Sequence, residues 1–337
     1  MTRNLVDIWS SMEKKQRLNK KKDNRIYRRL NLGKETGIRL SLVSPENYRE
    51  LLIQIDSNDD RFEFAIPKWK GMKFEIINLD VPEKNTPHIR LFLEDPQYND
   101  IFIIVCSDII DSLLKVKEVK NRFEELLICL DRWNRFFQRY GSEGLAPNEQ
   151  QGLYGELYFL KKILHYKINK LSAVKSWKGP ENNIHDFEVN KVAIEVKTTM
   201  TKEPRHVEIN SEKQLDDRGL KFLFLFILSL KKNGNLGQTL PKLVNEIRNL
   251  VSKNNQAFNL FNQYLRESGY LDIHAKEYKT SYIILNKEIF TVNEDFPRII
   301  SIPQGLGNLK YSLFIGAISR FEINTDKLLK ENIECEK

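Results

Sequence analysis

The most constraining feature of the sequence is the segment 192–199, which alternates like a strand that separates two different environments. Side chains in a strand point to opposite faces in turn. One face therefore carries Val192, Ile194 and Val196, and the other carries Ala193, Glu195, Lys197 and Thr199. A carboxylate and an ammonium group are thus predicted side by side on one wall, with a hydrophobic core behind it.

A hairpin is predicted directly upstream, because Asn190-Lys191 separates this strand from the segment 184–189. Asn tolerates left-handed backbone angles, which suits a two-residue hairpin turn. The resulting register places Asp186 opposite Glu195 on the same face, with Cβ atoms about 4.5–5.5 Å apart. Two such carboxylates repel each other. A divalent cation is the natural occupant of the space between them, since Mg²⁺ is usually held by one or two carboxylates plus waters and substrate phosphate.

A helix is predicted from about 148 to 165, with Asn148 as its N-cap. On a helical wheel, Glu156 falls inside its apolar stripe, which is formed by Leu153, Leu157, Leu160, Ile163 and Leu164. A buried ionised carboxylate is costly unless it is paired or binds a metal. The alternative is a glutamate that extends from the edge of the stripe to water. Gly152 and Gly155 suit a close approach of another backbone.

After the central strand, the segment 205–209 can form a third strand, and Ser211 can cap a short helix that contains Gln214 and Leu215. The segment 221–230 is almost wholly apolar, as expected of a strand buried on both faces. The order of elements from 148 to 230 is therefore helix, three strands, helix, strand.

The pattern Asp186…Glu195-Val196-Lys197 resembles the motif of the PD-(D/E)xK nuclease superfamily, although His185 stands where that name has proline. The order of elements resembles the α-β-β-β-α-β core of the same superfamily. The resemblance implies an α+β protein with a restriction-endonuclease-like α/β core, a β-rich N-terminal domain and a mixed C-terminal extension. In many of these nucleases a metal-linked Glu lies on the helix before the sheet, which is the place of Glu156.

More narrowly, about a fifth of the chain is similar to the bacterial "PD-(D/E)xK motif protein" family of restriction and phage-defence gene clusters. The matching residues are Gly152-Leu153-Tyr154-Gly155-Glu156-Leu157, Trp177-Lys178-Gly179-Pro180, Asp186-Phe187, Glu195-Val196-Lys197-Thr198-Thr199 and Ser211-Glu212-Lys213-Gln214-Leu215. This similarity implies the nuclease component of a multi-gene restriction or anti-phage system. Its partners would be DNA and other system proteins, such as methyltransferase, helicase-like or other ATPase subunits, and a homodimer is a candidate assembly.

The expected site consists of Asp186 and Glu195 as ligands of Mg²⁺, for which Mn²⁺ would substitute, aided by the Val196 carbonyl and by Glu156. Lys197 would orient or deprotonate the attacking water, or stabilise the charge that develops on phosphorus. Gln214 would contact the DNA backbone or fix its helix. His185 points to the opposite face in the predicted register and receives no catalytic role.

Composition restricts the compartment and the class of protein. The 337 residues suggest two or three domains, and the 41% hydrophobic and 30% charged content is that of a soluble globular protein. Cys106, Cys129 and Cys335 form neither a disulfide framework nor a metal-ligand spacing, which fits a reducing cytoplasm. We find no signal segment, and the longest apolar run, 222–230, is far short of the roughly 18 residues of a membrane helix. A cytoplasmic protein with no membrane partner is expected.

Positive charge is concentrated near the start of the chain. The net charge is +8, and the segment 14–29 alone carries an excess of that size. One interpretation is a basic arm that contacts phosphates and releases counterions. The other is a solvated, partly disordered arm or a helix whose charges face water.

The expected segments are a basic N-terminal arm (1–35), a β-rich domain (36–115), a connecting helix (116–141), the nuclease core (142–232) and a mixed α/β region (233–337). Strands are predicted at 37–43, 61–66, 72–79, 89–93 and 101–106 in the β-rich domain. The mixed region should contain helices at 240–251 and 256–267 and strands at 281–285, 298–302 and 311–323.

These patterns predict a divalent-metal-dependent DNA endonuclease. A catalytically inactive DNA-binding or assembly subunit with the same fold is the alternative, and the intact Asp186, Glu195 and Lys197 argue against it. A structural adaptor with an incidental triplet is a third interpretation, and it predicts no metal binding.

Overall fold

The computed structural model describes residues 2–18, 25–30, 37–43, 48–55, 68–81, 84–116, 122–140, 144–166, 169–181, 183–234 and 236–329. The chain divides into two compact units, Met1–Glu143 and Gly144–Lys337, where the sequence suggested five segments. The division lies two residues after the predicted boundary between the connecting helix (116–141) and the nuclease core (142–232).

An antiparallel five-stranded sheet forms the first unit, in the order β1-β2-β3-β5-β4. Its strands are β1 (Arg25–Arg29), β2 (Ile38–Val43), β3 (Tyr48–Gln54), β4 (Met72–Val81) and β5 (Lys84–Leu93). The strands predicted at 37–43, 72–79 and 89–93 are confirmed, whereas the one predicted at 61–66 lies outside the described residues.

Three helices complete the first unit, namely α1 (Thr2–Leu18), α2 (Asn99–Lys115) and α3 (Arg122–Tyr140). The strand predicted at 101–106 is wrong, because this segment is the first part of α2. Its apolar run is compatible with either structure by composition, and it is buried nearly all round in the helix, from Ile101 to Leu113. The predicted helix at 116–140 is confirmed from Arg122 onward.

The basic N-terminal segment is folded where it is described, and α1 fits the alternative interpretation of a helix whose charges face water. Helix α1 buries Leu5, Ile8, Trp9 and Met12, and the Trp9 indole donates to the Ser41 carbonyl at 3.2 Å. Strand β1 is an edge of the sheet. Lys20, Lys21 and Lys22 lie outside the described residues, whereas Lys14, Lys15, Arg28 and Arg29 are exposed on α1 and β1.

The second unit contains the predicted nuclease core and the region that follows it. Its helices are α4 (Pro147–His165), α5 (Lys170–Lys175), α6 (Leu240–Val251), α7 (Asn255–Glu267) and α8 (Thr325–Leu328). Its strands are β6 (Phe187–Val189), β7 (Val192–Thr199), β8 (His206–Ile209), β9 (Phe222–Lys232), β10 (Gln238–Thr239), β11 (Ser281–Val292), β12 (Tyr311–Phe314) and β13 (Glu322–Ile323).

The main sheet has the order β10-β11-β9-β7-β6, with β13 paired to β11. Strands β7 and β9 are parallel, and β6 and β7 form the predicted hairpin. Its register is confirmed, because Phe187 faces Ile194 and Val189 faces Val192. The turn residues Asn190 and Lys191 have φ values of 49° and 64°, as a tight hairpin turn of this kind requires.

Helix α4 covers one face of this sheet at very short range. A Cβ atom on Gly155 would lie 2.3 Å from Cγ2 of Thr198, so only glycine fits there. Gly152 has open space around it and plays no such part. Phe159 of α4 packs on Phe226 and Phe187 at ring distances of 4.9 and 5.0 Å. The opposite face carries a core that joins Ala193 and Leu225 to the small sheet of β8 and β12.

The C-terminal part differs from its prediction in two places. No strand forms at 298–302, and the predicted strand at 311–323 is β12, a 3₁₀ helix from Ile315 to Phe321, and β13. The third predicted strand, β8, pairs with β12 and not with the main sheet. Its predicted helical neighbour is a 3₁₀ turn, Glu212–Leu215, capped by Ser211.

Within the described ranges, every helix is too short or too polar to cross a membrane. Cys106 and Cys129 are buried free thiols.

Candidate metal centre

The hairpin brings Asp186 and Glu195 to the open edge of β7. Strand β6 begins at Phe187, so Asp186 directly precedes it. The Asp186 Oδ2 atom accepts a hydrogen bond of 2.8 Å from the backbone N–H of Val196. Through this hydrogen bond, the Asp186 side chain continues the pairing of β6 with β7. Asp186 therefore lies beside Glu195, as the predicted register requires. Because both backbone groups of a strand residue face the same edge, the Val196 carbonyl also faces this side.

Lys197 and Gln214 both contact Glu195. The Lys197 ammonium lies 2.9 Å from Oε1 of Glu195, and the Gln214 amide donates to the same atom at 2.8 Å. The carbonyl oxygen of the Gln214 side chain accepts from the Asn210 backbone at 2.8 Å. Gln214 therefore ties the 3₁₀ turn to the central strand, which fits the positioning role that was one of its two predicted roles.

Glu156 extends from α4 toward the same pair of carboxylates. Its Oε2 atom accepts a 2.7 Å hydrogen bond from the indole Nε1 of Trp177, a fully buried residue. The negative charges of Asp186 and Glu195 both act on it. The structure thus brings Glu156 together with the hairpin, and the alternative of a glutamate that extends to water is not supported.

The segment 177–179 wraps around Asp186, and sequence reasoning gave it no role beyond a family match. The backbone N–H groups of Lys178 and Gly179 donate to the Asp186 carbonyl at 2.7 and 3.1 Å. A Cβ atom on Gly179 would lie 2.7 Å from Oε2 of Glu156 and 3.3 Å from Oδ1 of Asp186. Glycine at this position therefore keeps the space between the two carboxylates open. The matched run Trp177-Lys178-Gly179-Pro180 was the only sequence signal for this arrangement.

The carboxyl groups hold protons more strongly than ordinary acids. Burial, followed by the charge of Asp186, raises the pKa of Glu156 to about 8 and that of Glu195 to about 8. Burial also raises the pKa of Asp186 to about 6, although Lys197 and the Val196 N–H oppose it. Burial lowers the pKa of Lys197, but Glu195 and Asp186 outweigh it and the net shift is upward. The ammonium group is therefore charged at neutral pH.

This donor set fits a hard divalent cation. Three carboxylates face one ammonium, so the fully ionised cluster has a deficit of positive charge. Oε2 of Glu195 is buried and accepts no hydrogen bond from any residue in the described part of the chain. In those same ranges, no three His, Cys, Asp or Glu side chains converge as a ready-made ligand group. Mg²⁺ does not need one, because it retains several waters and uses one or two carboxylates.

His185 lies outside the cluster, as the predicted register requires. It is 8% exposed, and its side chain lines a different surface of the second unit together with residues from 212–220 and 300–308.

The similarity of the chain to known proteins indicates its family. No curated protein and no solved structure matches the chain significantly. One family model matches residues 5–316, and its description is "Putative PD-(D/E)XK family member, (DUF4420)". The match spans both units and includes every residue of the cluster. The predicted relationship to the PD-(D/E)xK group is therefore confirmed, and the chain belongs to the DUF4420 family.

Proposed function

We propose that this protein is a divalent-metal-dependent DNA endonuclease that serves as the nuclease component of a bacterial restriction or anti-phage defence system. The observation that carries the proposal is the cluster of the buried Glu195 and the partly buried Asp186 and Glu156 against the ammonium of Lys197. Burying this much unbalanced negative charge is costly for stability. A bound cation would remove that cost.

Asp186 and Glu195 would hold Mg²⁺, or Mn²⁺ in its place, with the Val196 carbonyl and Glu156 completing the protein side of the site. Such a cation polarises a phosphate and lowers the pKa of a bound water. The Val196 N–H fixes the orientation of the Asp186 carboxylate, and the Trp177 indole does the same for Glu156.

Lys197 would act on the attacked phosphate or the attacking water, and Gln214 would position Glu195. Because the ammonium group is charged in the metal-free site, its best-supported role is to stabilise negative charge on the phosphoryl group or to orient the water. Deprotonation of the water by Lys197 requires a neutral amine, which the adjacent carboxylates disfavour. Gln214 holds Glu195 in place.

DNA is the proposed substrate because of the family relationship and the basic residues near the chain start. Methyltransferase, helicase-like or other ATPase subunits are the proposed partners, in a cytoplasmic system, and a homodimer is the proposed assembly.

The test is a cleavage assay on modified and unmodified DNA, with and without Mg²⁺ or Mn²⁺. Wild-type protein should cut only when metal is present. Asp186→Asn and Glu195→Gln should abolish cleavage while the far-ultraviolet circular dichroism spectrum remains unchanged. Metal-dependent cutting at the wild-type rate by either variant would contradict the site.

A second measurement separates the enzyme from a non-catalytic subunit. Ligand binding to the folded state raises the melting temperature. A metal-induced rise in wild type without cleavage of any DNA indicates an inactive binding or assembly subunit. The absence of both indicates that the triplet is incidental.

A further inference from the structure

A cleft of about 810 Å³ opens beside the metal centre in the second unit. Its walls come from three segments, 183–188, 212–220 and 300–308. Two of these walls adjoin the proposed site in sequence, since His185 precedes Asp186 and Lys213 precedes Gln214. The volume lies within the range of about 300–1,000 Å³ that is typical of sites for small organic ligands.

The third wall is fixed against the second by a buried arginine. The Arg298 guanidinium donates to the Leu215 carbonyl at 2.6 Å and to Asp217 at 3.0 Å. Its side chain is only 6% exposed. These contacts fix the position of the irregular segment 299–308 relative to the 3₁₀ turn. Specific side-chain contacts therefore define the shape of the cleft.

The lining disfavours a phosphate and favours a flat, largely uncharged ligand. Ile184, Ile300 and Leu306 line the cleft and remain 55%, 37% and 68% exposed. Glu188 and Glu212 are carboxylates in the same lining, and carboxylates repel phosphate groups. Asp216 is a third acidic residue of the lining, against the two cations Lys213 and Arg218, and Arg218 is paired with Asp216.

A buried nitrogen atom in the cleft wall has no partner in the described part of the chain. The Nε2 atom of His185 is buried and makes no hydrogen bond with any described residue. Buried polar atoms in native proteins nearly always have a partner. A ligand that brings N–H donors to this wall would supply one.

We propose that the cleft binds an unstacked cytosine or adenine through its exocyclic amino group, close to the phosphate that is cut. Aliphatic side chains would cover the faces of the base, and Glu188 and Glu212 would accept from its amino group, as Asp and Glu do from cytosine N4. His185 and Lys213, which line the cleft, directly precede Asp186 and Gln214 in the chain. A DNA strand whose phosphate is bound at Asp186 would therefore pass near the cleft.

This inference rests on the proposed nuclease function, and the test must separate the two. Short single-stranded homopolymers of deoxycytidine, deoxyadenosine and thymidine, equal in length, carry the same backbone charge and need no base flipping. Their binding is measured by fluorescence anisotropy without metal at one salt concentration. The cytosine and adenine polymers should bind about tenfold more tightly than the thymine polymer, the effect of one base-edge contact.

Two cleft variants and one matched control locate the effect. Glu188→Ala combined with Glu212→Ala should remove the preference, and Leu306→Ser should weaken binding of the cytosine and adenine polymers. Glu294→Ala removes an exposed carboxylate outside the cleft and should change nothing. Equal binding of the three polymers by wild type overturns the proposal, and so does a preference that survives both cleft variants.

Cleavage with Mg²⁺ is measured on the same polymers. Metal-dependent cleavage with equal binding of all three overturns the cleft and leaves the nuclease intact. A base preference without cleavage of these polymers supports the cleft as a base-binding site, and the nuclease is then decided by the cleavage assay on modified and unmodified DNA. Failure to bind any of the polymers overturns the cleft proposal.

Discussion

The two units each bury a cluster of acidic and basic side chains, and the clusters differ in their balance of charge. In the first unit Glu50 is fully buried and faces two arginines. Arg90 donates to it at 2.6 Å and Arg25 at 3.2 Å, while Arg90 also binds Glu75 at 2.9 Å. In the second unit three carboxylates share the ammonium of Lys197.

The difference separates a structural network from a candidate site. In the sheet of the first unit, two guanidinium groups balance the charges of Glu50 and Glu75, and Lys73 adds a further ion pair to Glu75. The network therefore needs no added cation, although Oε2 of Glu50 makes no hydrogen bond with a described residue. The cluster around Glu195 lacks positive charge and holds protons at neutral pH in its place. Burial alone therefore does not mark a functional carboxylate, whereas burial with unmatched charge does.

The same substitution in both clusters gives the largest contrast. Glu195→Gln should abolish cleavage and the metal-induced rise in melting temperature, with metal-free stability unchanged or increased because a repulsive charge is removed. Glu50→Gln should leave metal binding intact and destabilise the protein by about 3 kcal/mol, since it leaves two arginines without their buried partner. Thermal and urea denaturation with and without Mg²⁺ measure both.

The comparison fails if the two variants behave alike. A loss of metal-free stability in Glu195→Gln as large as in Glu50→Gln would make the second cluster a structural network as well.

Glu156→Gln should weaken Mg²⁺ binding on the order of 10- to 100-fold and reduce cleavage, while metal-free stability is unchanged or improved. The reason is the repulsion among three carboxylates without metal. The metal-induced rise in melting temperature, compared with that of wild type, is the decisive measurement. An identical rise with intact cleavage would reduce the site to Asp186, Glu195 and Lys197.

The pH dependence follows from the same carboxyl groups. Their pKa values in the folded state, about 6 for Asp186 and about 8 for Glu156 and Glu195, lie above the ordinary values. The metal-free folded state therefore binds more protons than the unfolded state between about pH 4.5 and 8, and stability falls as pH rises through that range. Metal affinity rises over the same range, because metal and protons compete.

Melting temperatures at pH 6 and pH 8, with and without Mg²⁺, check the predicted fall in metal-free stability and the predicted rise in metal affinity. Without metal, the decrease in melting temperature from pH 6 to pH 8 should be smaller in Glu156→Gln than in wild type. A metal-free protein that becomes more stable toward pH 8 would show that the carboxylates are already neutralised by their neighbours.

Trp177→Phe should lower metal affinity about tenfold, because the indole N–H that orients Glu156 is removed. Trp133→Phe is a matched control, since Trp133 donates to Asp108 at 3.0 Å in the first unit. Isothermal titration of Mn²⁺ into both variants makes the comparison. Equal affinities would show that Glu156 does not depend on the indole.

The smallest expected effect concerns the basic residues of the first unit. Deletion of 1–29 would destroy α1 and β1, so substitution of exposed lysines is the better test. Lys14→Ala with Lys15→Ala should reduce the slope of log affinity for DNA against log salt by about 0.9 for each lysine that contacts a phosphate. Lys276→Ala with Lys279→Ala, both exposed in the second unit, should leave the slope unchanged.

Sequence predicted the parts of the site that depend on local chemistry. The Asn190-Lys191 turn fixed the register of the hairpin, and the helical period placed Glu156 among buried residues. The hydrogen bond from Trp177 to Glu156 joins residues 21 positions apart on different elements. No pattern within either segment encodes that contact.

The errors in the fold have related causes. The run that begins at Ile101 is rich in β-branched residues and is buried nearly all round in α2, so it shows no helical period. Strand β8 finds its partner β12 a hundred residues later, and a pairing at that range leaves no local signal. The segment 298–302 is held by the Arg298 side chain in place of a strand partner.

The short hairpin has a consequence for the order in which the metal centre assembles. A β-hairpin closes in about 1–10 µs, and closing a loop this short costs little chain entropy. Asp186 and Glu195 therefore meet as soon as β6 and β7 pair, before the chain has brought Glu156 and Gln214 to them. In the nascent protein, the two proposed metal ligands would therefore come together first, and Glu156 and Gln214 would join them later.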